Sequence, residues 1–160
     1  MNFNKTVNVL SAAVKNLSDY NNGSLSGQAL MSQTCFTQLS TELDIVWHEV
    51  LAAPSYQRNP ALRANKDQID TSRRILDDLQ SHITSGNIEL FKLNSPAELI
   101  ALSSTIRTFD TVSGNIQAVG TDDYSYLGLD ELRQLSAAIQ ATISLLRISY
   151  DLGNRYTEPV

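Results

Sequence analysis

The sequence has very little cysteine, few aromatic residues and a low content of charged residues. Its single cysteine, Cys35, excludes an intramolecular disulfide, which agrees with a reducing compartment. Aromatic residues make up 7% of the 160 residues, and charged residues make up 18%, below the usual quarter. Serine, threonine, asparagine and glutamine supply about a third of the chain instead. Because such side chains cost less to desolvate than lysine and glutamate, a surface rich in them can become an interface.

Basic residues and long apolar segments are scarce as well. Twelve lysines and arginines face 17 aspartates and glutamates, for a net charge of −5, which disfavours nucleic acid as the main partner because phosphate binding requires an excess of positive charge. No segment approaches the roughly 18 consecutive apolar residues of a membrane span. Asn8 and Lys15 interrupt the apolar run near the amino terminus, which makes it a poor signal peptide. We therefore expect no membrane association and a location in the cytoplasm or, for a phage protein, inside a virion.

Apolar residues recur at alternating steps of three and four, the spacing that lines one face of a helix. The pattern returns in five runs, at 3–17, 25–50, 62–83, 99–116 and 129–150. Residues that end or begin helices separate the runs: Gly23, Pro54, Asn59 with Pro60, Ser95 with Pro96, and Gly153. The quartet from Ser95 to Glu98 is the clearest start, because the serine can cap the helix and the glutamate can reach back to the cap amide.

These runs predict an all-α fold for the single domain 1–160, an antiparallel bundle of four long helices plus a shorter N-terminal helix. The second run is predicted to be one uninterrupted helix of about 26 residues. Residues 6–9 of the first run can also be interpreted as a strand. Small or polar residues interrupt the long apolar rows: Ser32, Asn65, Ser72, Ser113 and Ser136. We interpret them as positions that permit close helix approach and fix register, with a buried polar relay as the alternative.

No catalytic or metal-binding pattern emerges from the chain. The Glu-x-x-His pairs of di-iron bundles are missing, and the two histidines, His48 and His82, belong to different runs. Asp78 and His82 are four residues apart and offer at most two ligands on one helix face. Cys35 lies in an apolar segment and is interpreted as a structural thiol. Without a glycine-rich phosphate loop either, the sequence predicts no catalytic residues, no metal, no cofactor and no enzymatic activity.

The fifth run carries a second apolar stripe, which makes its apolar arc too wide for one neighbouring helix. Such a helix is either central in its own domain or shared with another chain. Tyrosines in two connecting segments are further interface candidates, although they could equally seal the ends of the bundle. The candidate protein interface therefore consists of Leu135, Leu145, Ile148, Leu152, Trp47, Tyr56, Tyr124 and Tyr126.

From these features we expect a non-enzymatic structural or protein-interaction subunit whose partners are copies of itself or other assembly subunits. It would belong to a homo-oligomer or to a larger assembly such as a phage virion. The alternative is a small helical regulator or inhibitor that binds a host enzyme or complex through an acidic face.

Overall fold

The computed structural model describes residues 2–117, 124 and 126–154, and these form eight α-helices without any strand. The helices are α1 Asn4–Asn21, α2 Gly27–Met31, α3 Cys35–Ala52, α4 Pro54–Gln57, α5 Pro60–Arg63, α6 Lys66–Thr84, α7 Pro96–Gln117 and α8 Leu129–Asn154. A 3-10 turn, Ile88–Leu90, lies between α6 and α7. The predicted all-α bundle is confirmed.

The five long helices pack side by side, and α8 lies deepest among them. Neighbours around the bundle follow the order α1, α3, α6, α7, α8 and back to α1, and α8 also contacts α3 and α6 across the interior. Because α8 packs against four other helices, it is buried around most of its circumference. Its exposed residues are confined to a narrow stripe that includes Arg133, Ala137, Gln140, Arg147 and Asp151.

The first predicted run forms α1, so the strand interpretation of residues 6–9 is wrong. The helix ends at Asn21, and Gly23 adopts a φ of 87°, a left-handed conformation that glycine takes without steric cost. The amides of Ser24 and Leu25 then donate to the Asp19 carbonyl at 2.8 and 3.1 Å. These bonds satisfy a carbonyl that the end of the helix would otherwise leave unpaired.

The second run is divided into two helices, contrary to the prediction of one long helix. Helix α2 ends at Met31, and α3 begins at Cys35. Between them, Ser32 Oγ donates to the Ala29 carbonyl at 2.8 Å, and Gln33 Nε2 donates to the same carbonyl at 3.2 Å. Polar side chains that bond the backbone compete with the helical hydrogen-bond ladder, and this explains a break that apolar spacing did not indicate.

The third run is also divided, and a short helix precedes it where a loop was expected. Pro54 ends α3 as predicted and then opens α4. The predicted Asn59 cap is confirmed, because its Oδ1 accepts from the amides of Ala61 and Leu62 at 3.0 and 3.4 Å. Helix α5 nevertheless ends after four residues, and α6 starts beyond Asn65, whose amide donates to the carbonyl three residues back, that of Leu62, at 3.1 Å.

Helix α7 starts at Pro96 as predicted and continues through Gly114 to Gln117. Glu98 reaches back one residue further than expected, because its Oε1 accepts from the Asn94 amide at 2.6 Å. Two of the polar interruptions join neighbouring helices. Ser72 Oγ donates to the Ala101 carbonyl at 3.0 Å and bonds Thr105, while Gln140 Nε2 donates to Ser113 Oγ at 2.8 Å. These bonds link α6 to α7 and α7 to α8, in agreement with a role in register.

In the described part of the chain, no helix combines the length and the apolar character that crossing a bilayer requires.

Candidate protein-binding groove

The apolar stripe of α8 lies inside the molecule, which corrects its interpretation as an interface. Leu135 and Leu145 are completely buried, Leu152 is 3% exposed, and Ile148 is partly buried against the same core. The reason is the position of α8 between α1, α3, α6 and α7, which cover the wide apolar arc from within the chain. Of the two explanations for this arc, a central helix is therefore correct for these side chains.

Three of the predicted aromatic interface residues are buried too. Trp47 packs edge-on against Phe109, with ring centroids 4.8 Å apart, and the Arg73 guanidinium lies over the indole at 5.7 Å. Tyr56 is 3% exposed within the core. The Tyr124 hydroxyl donates to the Glu49 carbonyl at 2.7 Å, and its φ of 59° is the one left-handed non-glycine conformation among the described residues. These aromatic side chains close the end of the bundle and are not available to a partner.

Tyr126 is the one predicted interface residue that is largely exposed, at 66%. Its hydroxyl donates to Glu49 Oε2 at 2.7 Å, and its ring meets that of Tyr124 edge-on at 6.3 Å. Desolvation of the hydroxyl, followed by its hydrogen bond to Glu49 and by the charge of that carboxylate, raises the pKa of Tyr126 to about 12. The hydrogen bond thus links the hydroxyl end of a largely exposed aromatic ring to α3.

A groove of about 360 Å³ opens where the start of α1 meets α3, and Glu49, the hydrogen-bond partner of Tyr126, is one of its lining residues. It is lined almost entirely by apolar surface, and its residues are Asn2, Phe3, Asp44, Ile45, His48 and Glu49. Both backbone groups of Phe3 form hydrogen bonds. Its amide donates to the side-chain Oε1 of Gln134 at 2.8 Å, and its carbonyl accepts from the Val7 amide at 2.9 Å. The wall supplied by α1 is thereby fixed to α8.

The two acids of the groove differ in their electrostatic partners. Asp44 accepts a hydrogen bond from Arg73, which also donates to Asp77 at 3.2 Å and to both oxygens of Ser40. Glu49 is 4% exposed, and within the described residues no basic group lies within 4.0 Å of its carboxylate. The groove therefore contains one buried carboxylate whose charge no base compensates.

Sequence reasoning did not select Glu49, although a signal for it exists. Leu39, Glu42, Val46 and Glu49 follow the three-four spacing of a buried helix row, and the structure buries all four. Acids at seam positions of an apolar helix are expensive unless something pairs with them, so each requires a partner or a function. Glu42 has such a partner inside the chain, since Thr6 Oγ1 donates to its Oε1 at 2.9 Å.

The two histidines lie in separate places. His48 is exposed at the groove, whereas His82 lies in the last turn of α6, where its Nδ1 is 2.8 Å from the Asp78 carbonyl oxygen and 3.6 Å from the Asp78 carboxylate. Within residues 2–117 and 126–154, no three His, Cys, Asp or Glu side chains are grouped so that they could hold a metal ion. Cys35 is buried, and burial raises the pKa of its thiol, which lowers its reactivity as a nucleophile.

Comparison of the chain with protein-family models, with curated proteins and with solved structures finds no match. Functional interpretation therefore depends on the geometry of the groove.

Proposed function

We propose that the chain is a non-enzymatic protein-interaction subunit that binds a segment of another protein in the groove between α1 and α3. The observation that carries the proposal is the combination of apolar groove walls with an exposed tyrosine whose hydroxyl is bonded to Glu49, a residue of those walls. Tyrosine is enriched among the residues that dominate binding energy at protein interfaces. A ring whose hydroxyl is already bonded to Glu49 loses less conformational entropy on binding than a free one, so its contact area contributes more fully to affinity.

A place in an assembly, such as an oligomer or a virion, is the form of this function that we favour. Amide and hydroxyl side chains on the exposed face of α1 support it, because they are easily desolvated: Asn4, Asn8, Ser11 and Ser18. The acidic groups at the groove, Asp44 and Glu49, support the second candidate, a regulator that binds a basic site on a host enzyme. Both candidates use the same groove, and they differ in whether the occupant is an assembly subunit or an enzyme.

Self-assembly is tested by sedimentation velocity of the purified protein across micromolar concentrations. If the occupant is a second copy, the wild type associates, and Tyr126→Ala weakens the association about tenfold or more, as expected for an interface hot spot. Leu90→Ala is the matched control, because Leu90 is 62% exposed in the 3-10 turn outside the groove. Circular dichroism should show the same helix content in all three proteins.

If the wild type is monomeric, the proposed occupant of the groove is a different protein, and a second experiment tests for it. A photo-crosslinking amino acid at His48 should then join the protein to one discrete partner in extracts of the source cell. Tyr126→Ala should abolish that product, and Leu90→Ala should leave it unchanged. A crosslinker placed at Ser103, on the exposed side of α7, should not form the product. A monomer without a groove-dependent crosslink would overturn the proposed function.

A further inference from the structure

We propose that Glu49 receives the cationic group of a lysine or arginine side chain that the partner inserts into the groove. This inference rests on the proposed function of the groove and specifies the chemistry of its occupant. The observation behind it is a carboxylate that is 4% exposed, forms part of an apolar groove wall and has no basic partner in the described part of the chain.

Burial makes the charge of Glu49 costly in the free protein. A buried carboxylate loses its hydration, and hydrogen bonds or an opposite charge must replace it. Tyr126 donates one hydrogen bond to Oε2, which leaves Oε1 for an incoming donor. A hydrogen bond between ionised groups is about twice as strong as a neutral one. A cation from a partner would therefore supply the opposite charge that the described residues do not place beside Glu49.

The shape of the groove fits a long basic side chain better than a free ion. Phe3 and Ile45 provide an apolar wall along which the methylene stem of lysine or arginine can lie, while its charged end reaches the carboxylate. The cavity of about 360 Å³ is large enough for one such side chain together with an adjacent apolar residue.

Charge pairing within the chain indicates Glu49 rather than the other acids of α3. Asp44 already accepts from the Arg73 guanidinium, so a second cation there would meet a positive neighbour. Glu42 is bonded by Thr6 and does not line the groove. Glu49 alone among these three combines burial, a place in the groove wall and the absence of a basic partner within the described residues.

The test uses small probes and the full-length protein, so it needs no identified partner. Amide resonances of ¹⁵N-labelled protein are followed during titration with N-acetyl-arginine methylamide and N-acetyl-lysine methylamide. N-acetyl-citrulline methylamide is the neutral control, because it has nearly the shape of arginine without its charge. We expect the cationic probes to shift the resonances of Phe3, Ile45 and His48, and the citrulline probe to bind about tenfold more weakly.

Two variants and a control test whether the Glu49 carboxylate is responsible for binding the cationic probes. Glu49→Gln keeps the acceptor for Tyr126 but removes the charge, and it should reduce binding of both cationic probes to the level of citrulline. Asp110→Asn, an exposed acid of α7, is the matched control and should bind as the wild type does. Tyr126→Phe frees Oε2 and provides a second folded variant, which should still discriminate arginine from citrulline.

Equal shifts by arginine and citrulline, or undiminished binding by Glu49→Gln, would overturn the inference. Failure of this inference can be distinguished from failure of the proposed function. A groove that binds cationic probes through Glu49 in a protein without any groove-dependent partner would refute only the proposed function. A partner that binds Glu49→Gln as tightly as the wild type would refute only the inference.

Discussion

Helix α8 and the carboxyl-terminal half of α3 use apolar surface in opposite ways. Helix α8 has a wide apolar arc, and its own chain covers nearly all of it, so that Leu145 is completely buried. Helix α3 is also apolar over much of its circumference, although Glu42 and Glu49 interrupt its buried face, and it borders the open apolar groove. Apolar character alone therefore does not distinguish the two helices, and the position of each helix in the bundle decides whether a partner can reach its apolar surface.

The largest expected effect on stability comes from truncating a buried side chain of α8. Leu145→Ala should lower the free energy of unfolding by about 2–5 kcal/mol, because it removes buried methyl groups and leaves a cavity. The measurement is urea denaturation followed by circular dichroism. Arg147→Ala, on the exposed stripe of the same helix, should change stability by no more than about 0.5 kcal/mol. If both variants were equally stable, the interior position of α8 would be wrong.

Substitution of two glycines compares a tightly packed helix position with an open one. An added Cβ at Gly153 of α8 would lie 2.4 Å from Leu93 Cγ, so Gly153→Ala should cost about 1–3 kcal/mol through overpacking. At Gly114 of α7, nothing lies within 4 Å of an added Cβ. Gly114→Ala should therefore stabilise the helix by about 0.4–1 kcal/mol, since alanine loses less backbone entropy. Thermal denaturation should show melting temperatures that move in opposite directions.

A smaller loss is expected from the polar link between α6 and α7. Ser72→Ala removes a completely buried hydroxyl and leaves Thr105 without one of its partners, which should cost about 1–2 kcal/mol. Ser81→Ala, at an exposed position of the same helix, is the control. Chemical denaturation of the two variants separates the effect of the buried bond from the higher helix propensity of alanine. A Ser72→Ala protein as stable as the control would argue against a structural role for the bond.

The smallest effect concerns the ionisation of Tyr126 at the groove. Its pKa is raised from 10.0 in the unfolded chain to about 12, so folding favours the protonated phenol. The stabilisation linked to this shift is fully present below about pH 10 and is lost as the pH rises towards 12. The difference in phenolate absorbance between the wild type and Tyr126→Phe should show one tyrosine that ionises near 12. A difference spectrum with a midpoint near 10 would contradict the bond to Glu49.

Sequence patterns predicted some local features accurately, because each depends on a few neighbouring residues. The Asn59 cap, the Pro96 start and the end of α1 near Gly23 are examples. The breaks at Ser32 and Asn65 were missed, since apolar spacing continues across them while hydrogen bonding does not. Apolar periodicity reports which side chains are buried, and it is insensitive to a local loss of backbone continuity.

The sequence by itself determined that the chain forms amphipathic helices with enough apolar residues to pack into a bundle, because helical periodicity and capping are encoded locally. Only the tertiary structure decided that the stripe of α8 is interior, that Tyr126 remains exposed and that Glu49 lies at a groove without a basic partner in the described residues. The reason is physical: burial and charge compensation depend on contacts between residues far apart in the chain, such as Glu49 and Tyr126, whose sequence separation is 77.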